Sequence, residues 1–221
     1  MRRFLFVIFG LVGLGILLSL GTWQVRRLAW KEAVLSEIET RIAAAPVALP
    51  MTLNPEADRY LPVQITGELL EGEIHVLVSL KRVGAGYRVI APMATGDRVI
   101  LVDRGFIDLE DKDTPRTLGE VAVTGNLHWP QEIDSYTPDP DFDANIWFAR
   151  DVDMLSAALG TEPVLVIARS KTDPAIMPLP VSTTGIPNDH LQYVITWYGL
   201  ALVWASMMTF FFWRTRAAKT S

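Results

Sequence analysis

Two long apolar runs, one near each end, constrain this chain more than any other feature. From Leu191 to Trp213 there is no charged residue. Taken as a helix at about 1.5 Å per residue, that run reaches about 30 Å, the hydrocarbon thickness of a bilayer. Phe4 to Leu20 is a second run, interrupted by Ser19 as its one polar residue. The pattern predicts a transmembrane helix over 4–22, a juxtamembrane helix over 23–45, a folded domain over 46–187 and a second transmembrane helix over 191–213.

The flanking charges predict an orientation. Arg2, Arg3, Arg214, Arg216 and Lys219 lie outside the runs with no acid among them, while the stretch between holds 15 basic and all 25 acidic residues. Basic flanks put both termini in the cytoplasm. Arg26, Arg27 and Lys31 pull the other way, but long domains translocate largely regardless of charge. Met1-Arg2-Arg3 resembles a signal-peptide start, yet the apolar core is long and Ser19-Leu20-Gly21 matches a cleavage site poorly, so an uncleaved anchor is expected. With apolar sequence from residue 4, no transit peptide is expected ahead of it. The expectation is a multi-pass protein of the bacterial inner membrane with a periplasmic central domain. Gly10, Gly13 and Gly21 share one helix face, either for close approach of a second helix or because glycine is common in membrane helices.

Thr22 to Ala45 lacks Pro and Gly, and Leu28, Leu35 and Ile42 recur every seven residues. This reads as helix, ended by Pro46 and Pro50. Short strands follow at 62–67, 74–78, 87–91, 98–103, 121–125, 145–148 and 164–168, with Gly84-Ala85-Gly86 and Gly96-Asp97 as turn signals. Asp151 can cap a short helix over 152–159 closed by Gly160. Gly105, beside Asp103 and Arg104, reads as a bulge or turn with an ion pair. The expected fold is a membrane protein whose two transmembrane α-helices flank a β-rich (α+β) extracytoplasmic domain, an antiparallel barrel or sandwich.

Most chemistries are excluded. There is no cysteine, so no disulfide, thiolate site or Cys nucleophile exists. A domain this acidic does not bind nucleic acid. There is no G-x-S-x-G and no Gly-rich phosphate loop. Asp139 to Asn145 superficially resembles a calcium loop but lacks its glycine, and Arg150 stands where glutamate is needed. Asp108, Glu110, Asp111 and Asp113 surround Lys112 with nothing apolar to shift a pKa, and read as a solvated charge run. His75, His128 and His190 are the only histidines, too scattered to form a zinc site. His75 reads as a packed or edge strand residue and His128 as a loop residue. Nothing points to an enzyme.

His190 stands at the mouth of the second membrane helix. At 100° per residue Trp197, Ala201, Trp204 and Met208 share its face, with Tyr193 one turn away. Such a face can hold a planar macrocycle whose iron His190 ligates. Trp23, Arg26 and Arg27 fall at the same depth, where guanidinium can pair with propionates. Equally, Trp23, Trp197 and Tyr193 can be interfacial anchors, the arginines can snorkel, and His190 can cap its helix. Met208 lies about 27 Å along the helix, too far to be a second ligand.

Three stretches carry a resemblance. Leu20-Gly21-Thr22-Trp23-Gln24-Val25-Arg26-Arg27-Leu28-Ala29-Trp30-Lys31, then Val102-Asp103-Arg104-Gly105-Phe106, then Asn188-Asp189-His190-Leu191-Gln192-Tyr193 running into Thr196-Trp197-Tyr198-Gly199-Leu200-Ala201 resemble, in order, motifs of the Surfeit locus protein 1 family. The resemblance implies an assembly factor for haem–copper cytochrome c oxidase that binds haem a and aids its insertion into the large catalytic subunit. It also implies His190 as the iron ligand, with haem a synthase as a further partner. Asp189 stands where many members have Asn, and Tyr198 where Phe is common. A scaffold that stabilises an oxidase assembly intermediate without a cofactor is the alternative.

Overall fold

The computed structural model describes residues 2–184 and 186–217. The side chains of Arg2, Arg3 and Arg216, and all of Lys219, lie outside that description. Two compact units result: Ile38–Ser182, and the helical segments before and after it.

In the first of these, strand pairing closes on itself. β2 (Pro62–Leu69), β6 (Gly119–Leu127), β8 (Leu165–Ala168), β5 (Arg98–Asp108) and β4 (Gly84–Thr95) pair in that order, and β4 returns to β2. β3 (Ile74–Leu80) pairs with the first half of β4 and carries β7 (Ile146–Trp147) on its outer edge. β1 (Val47–Ala48) adds to the edge of β2. The barrel is therefore realised, and it departs from the expected antiparallel rule where it must. A ring of five strands cannot alternate direction all the way round, so one pair has to be parallel. That pair is β5–β8.

The seven expected strands correspond to β2 through β8, and the two-residue β1 has no strong sequence signal. The Gly84-Ala85-Gly86 turn is displaced: the chain turns at 81–83 and these residues already pair with β3. A side chain on Gly86 would strike the Phe106 ring and the Ile107 carbonyl.

Burial explains the apolar runs. In β5, Ile100 and Val102 point into the barrel among Val63, Ile65, Met93 and Val123. Leu101 points outward, beneath α2 (Val152–Leu159), with Leu165, Ile167, Trp147 and Leu155. β8 is divided in the same way. Strands covered on both faces lose the polar alternation and read as continuous hydrophobic runs. α2 begins and ends as expected: Asp151 accepts from the Met154 N–H at 2.8 Å, and Gly160 takes φ +65°.

Gly105 sits in a bulge. Val89 faces Gly105 and Ile90 faces Asp103, so Arg104 is the extra residue. Gly105 has φ +125°, and an added Cβ would run into the Met177 carbonyl. That space lets Met177 cross β5 and exchange two backbone hydrogen bonds with Phe106, at 2.7 and 2.9 Å.

α1 (Arg2–Ala43) is one unbroken helix. Near its C-terminus the Ile42 carbonyl accepts from Asn126 Nδ2 and Arg169 Nη1, both at 3.1 Å. These bonds satisfy a helix-end acceptor that lacks an intrahelical donor.

Candidate functional site

α3 (His190–Ala217) starts where Pro187-Asn188-Asp189 gives way to apolar sequence. The Tyr193 N–H reaches the Asp189 carbonyl at 3.3 Å, closing the first turn. From His190 to Arg214 the helix is long and apolar enough to cross a membrane, as is α1 from Phe4.

α1 and α3 lie antiparallel, and the glycine stripe is their seam. A Cβ on Gly13 would come within 2.8 Å of the Trp204 ring, and one on Gly21 within 3.0 Å of Tyr198. Gly10 faces Met208. Trp204 Nε1 donates to the Gly10 carbonyl at 2.9 Å, and the Thr22 hydroxyl meets the Tyr198 hydroxyl at 3.2 Å. Small residues thus let two backbones approach and large rings fill the gap, the close-approach reading of the stripe.

This packing divides the face assigned to a macrocycle. Ala201 is buried, and Trp204 and Met208 face α1 glycines. These three take part in the helix–helix seam. The antiparallel partner buries Ala201 and leaves Trp204 and Met208 partly exposed along a groove beside the seam, which periodicity within α3 cannot reveal. The upper turns remain. His190 and Trp197 are partly exposed and Tyr193 is exposed. At 100° per residue all three point within about 60° of one another.

His190 Nδ1 lies 2.8 Å from Gln24 Oε1. An amide oxygen only accepts, so this pairing needs the proton on Nδ1 and leaves the lone pair on Nε2. Gln24 is buried. It was not singled out in the sequence, although a signal existed. Gly10, Gly13 and Gly21 mark the seam, and one further turn along the same face falls on Gln24. Nearby, Asn188 Oδ1 is buried without a partner.

The other sequence-derived residues divide by direction. Trp23 is exposed, one residue and about 100° from Gln24. Arg27, three residues on, is on Gln24's side, with its guanidinium 4.0 Å over the Trp30 ring. Arg26 points about 160° away, on the far side of α1. Of the two arginines, Arg27 alone shares a side with His190's partner. Among the described residues no three His, Asp or Glu side chains converge as a metal site. The donor set fits one axial imidazole on a cofactor that brings its own equatorial ligands.

The remaining histidines are structural. His75 is buried in β3, 2.9 Å from Glu73 and against Tyr87. His128 stacks on Tyr60. Burial, then the charges of Arg150 and Arg59, push its pKa down to about 4.

Sequence reading missed the extent of one polar network. Asp103 and Arg104 do not pair with each other. Asp103, fully buried, accepts from Arg88 at 2.5 Å and Arg150 at 3.2 Å, and Arg150 also grips Glu132. Arg104, also fully buried, donates to the Thr117 carbonyl at 2.9 Å and the Thr172 hydroxyl at 3.2 Å, with Asp173 at 3.7 Å. Burial raises the Asp173 pKa, but N–H bonds from Thr117 and Ala175 and the Arg104 charge outweigh it and leave the carboxyl below its ordinary value. These bonds tie the segments around 132, 150 and 172 to the barrel wall. The Asp139–Asn145 turn is closed by its own bonds, with Asp141 accepting from the Ala144 N–H at 2.9 Å.

Comparison with known proteins agrees with the motifs. Residues 11–202 match the SURF1 family. Surfeit locus protein 1 of Rattus norvegicus is 29% identical over 206 residues, covering 82% of this chain and 67% of that protein. The SURF1-like protein of Drosophila melanogaster is 30% identical over 228 residues, covering 91% and 74%. The SURF1-like protein of Rickettsia prowazekii is 32% identical over 200 residues, covering 85% and 81%.

Proposed function

The chain belongs to the SURF1 family, and from that premise we propose that it binds haem a at the membrane surface and aids its insertion into the large catalytic subunit of cytochrome c oxidase. Family membership implies a role in cytochrome c oxidase assembly. The haem-specific step is our reading. The observation that supports it is the position of His190, the first residue of an apolar helix, partly exposed, with Nδ1 2.8 Å from Gln24 Oε1.

In this reading His190 would ligate the iron, Tyr193, Trp197 and Trp23 would supply apolar and aromatic surface for the macrocycle, and Arg27 would meet a propionate. Bound haem supplies the iron and four equatorial nitrogens. The protein supplies one imidazole, an apolar wall and a cation. It carries out no bond-making step of its own and is not an enzyme. Both termini are cytoplasmic, the barrel is periplasmic in a bacterial inner membrane, and the lipid bilayer covers the exposed helix faces. Haem a synthase is the expected donor.

A scaffold role without cofactor is the second reading. Tyr136 and Phe142 are 91% and 68% exposed, on a segment that could hold a nascent subunit. The test is the visible spectrum of the protein purified in detergent from a host that makes haem a, beside His190→Ala. Haem in the wild type and its loss in the variant is expected. A haem-free wild type, or a variant with unchanged spectrum and affinity, overturns the cofactor role. Oxidase subunits that still co-purify with His190→Ala would then favour the scaffold.

A further inference from the structure

We propose that Gln24 is the positioning residue for the haem ligand: its amide oxygen holds the Nδ1 proton of His190 and so presents the Nε2 lone pair to iron. This rests on the reading of His190 as the ligand. Gln24 is 8% exposed, in a helix whose preceding residues are almost wholly apolar. A buried amide is costly unless hydrogen-bonded, and His190 lies 2.8 Å from its oxygen. The orientation of the amide decides the chemistry. With the oxygen toward Nδ1, imidazole is the Nε2 ligand tautomer. With the NH2 toward Nδ1, the proton would sit on Nε2 and block ligation.

The arrangement also sets ligand strength. Metal-bound histidines characteristically donate their other N–H to an oxygen acceptor, which fixes the ring and makes the ligand more electron-donating. Here that acceptor comes from the other helix of the hairpin. Ligand geometry is therefore built by α1 and α3 together. The polar pair continues the line of Gly10, Gly13 and Gly21 along the same seam. A neutral acceptor gives moderate donation, and a carboxylate in its place would give more.

The experiment uses the full chain in detergent, titrated with haem a, with affinity and midpoint potential measured for wild type, Gln24→Leu, Gln24→Glu and His190→Ala. Gln24→Leu removes the acceptor and is expected to weaken binding by about 10–100-fold and raise the potential. Gln24→Glu strengthens the acceptor and is expected to keep binding and lower the potential. Opposite signs distinguish positioning from structural damage, which would weaken both variants alike. If the wild type binds through His190 but both Gln24 variants keep its affinity and potential, or both shift the potential in one direction, this inference fails and the ligand assignment stands. If the wild type binds no haem, or His190→Ala binds unchanged, the ligand assignment itself fails and takes the inference with it.

Discussion

In the barrel, Leu101 and Val102 are neighbours in sequence and both fully buried; in the hairpin, Leu200 and Ala201 are neighbours, and Leu200 is 46% exposed while Ala201 is 3%. The barrel strand is covered on two faces by protein. The membrane helix is covered along one narrow seam, and its other sides carry Leu, Phe and Val outward. Water drives the first arrangement, because apolar area leaves it on folding. Between helices in lipid that driving force is absent, and close packing with a few hydrogen bonds takes its place. Polar side chains therefore do different work in the two regions. Asp103 holds two arginines beneath the barrel wall, whereas Gln24, Thr22 and Trp204 each make one hydrogen bond across the seam.

The largest expected effect tests the barrel side. Asp103→Ala removes the carboxylate partner of Arg88 and leaves Arg150 with Glu132 alone, and breaking such a buried pair costs roughly 3–5 kcal/mol. Denaturant unfolding of the detergent-solubilised chain, followed by its strand circular dichroism, should show this loss. A change under about 1 kcal/mol would mean that water solvates the network.

Gly105→Ala comes next. It forces a side chain into positive φ and against the Met177 backbone, a strain of about 1–3 kcal/mol. The same unfolding measurement should detect it, with faster hydrogen exchange at Phe106 and Met177. Unaltered exchange at both would separate the bulge from the crossing segment.

A third prediction concerns pH. His128 is held neutral, with a folded pKa near 4 against 6.5 for the free group. Unfolding takes up a proton between those values, so its contribution is complete above about pH 6.5, falls as pH drops towards 4, and levels off below. The full shift corresponds to a loss of about 3 kcal/mol. A flatter stability profile over pH 4–6.5 in His128→Phe is the expected signature, and an unchanged slope would assign the effect to other groups.

The smallest effect tests the seam. Thr22→Val deletes one hydroxyl contact with Tyr198 and should cost only about 0.6 kcal/mol, the usual worth of an interhelical hydrogen bond in membranes. Gly13→Leu is a harsher companion, because the Trp204 ring already occupies its space. Because the chain has no cysteine, Leu14→Cys with Ala205→Cys, which line one groove of the hairpin, can report helix separation. Cross-linking should persist in Thr22→Val and fall sharply in Gly13→Leu. Equal cross-linking in both would remove the glycine seam as the hairpin's organiser.

Much was legible without coordinates. The two apolar runs, the capped α2, the strands through β8 and the bulge at Gly105 follow from periodicity, cap chemistry and the backbone angles that glycine permits. These are local properties, so the order of residues alone determines them. His190 was also legible, because a polar side chain at the edge of a charge-free run stands out. What the chain order could not supply is pairing between distant segments. Closure of β4 onto β2, and with it the parallel β5–β8 pair, depends on which strands meet. So does the division of α3's aromatic face into a seam held by Trp204 and an open upper turn at Trp197. Gln24 and His190 are 166 positions apart, and neither one's pattern contains the other. Only the antiparallel packing of two helices brings the amide oxygen to the imidazole, and that contact decides which ring nitrogen is left free.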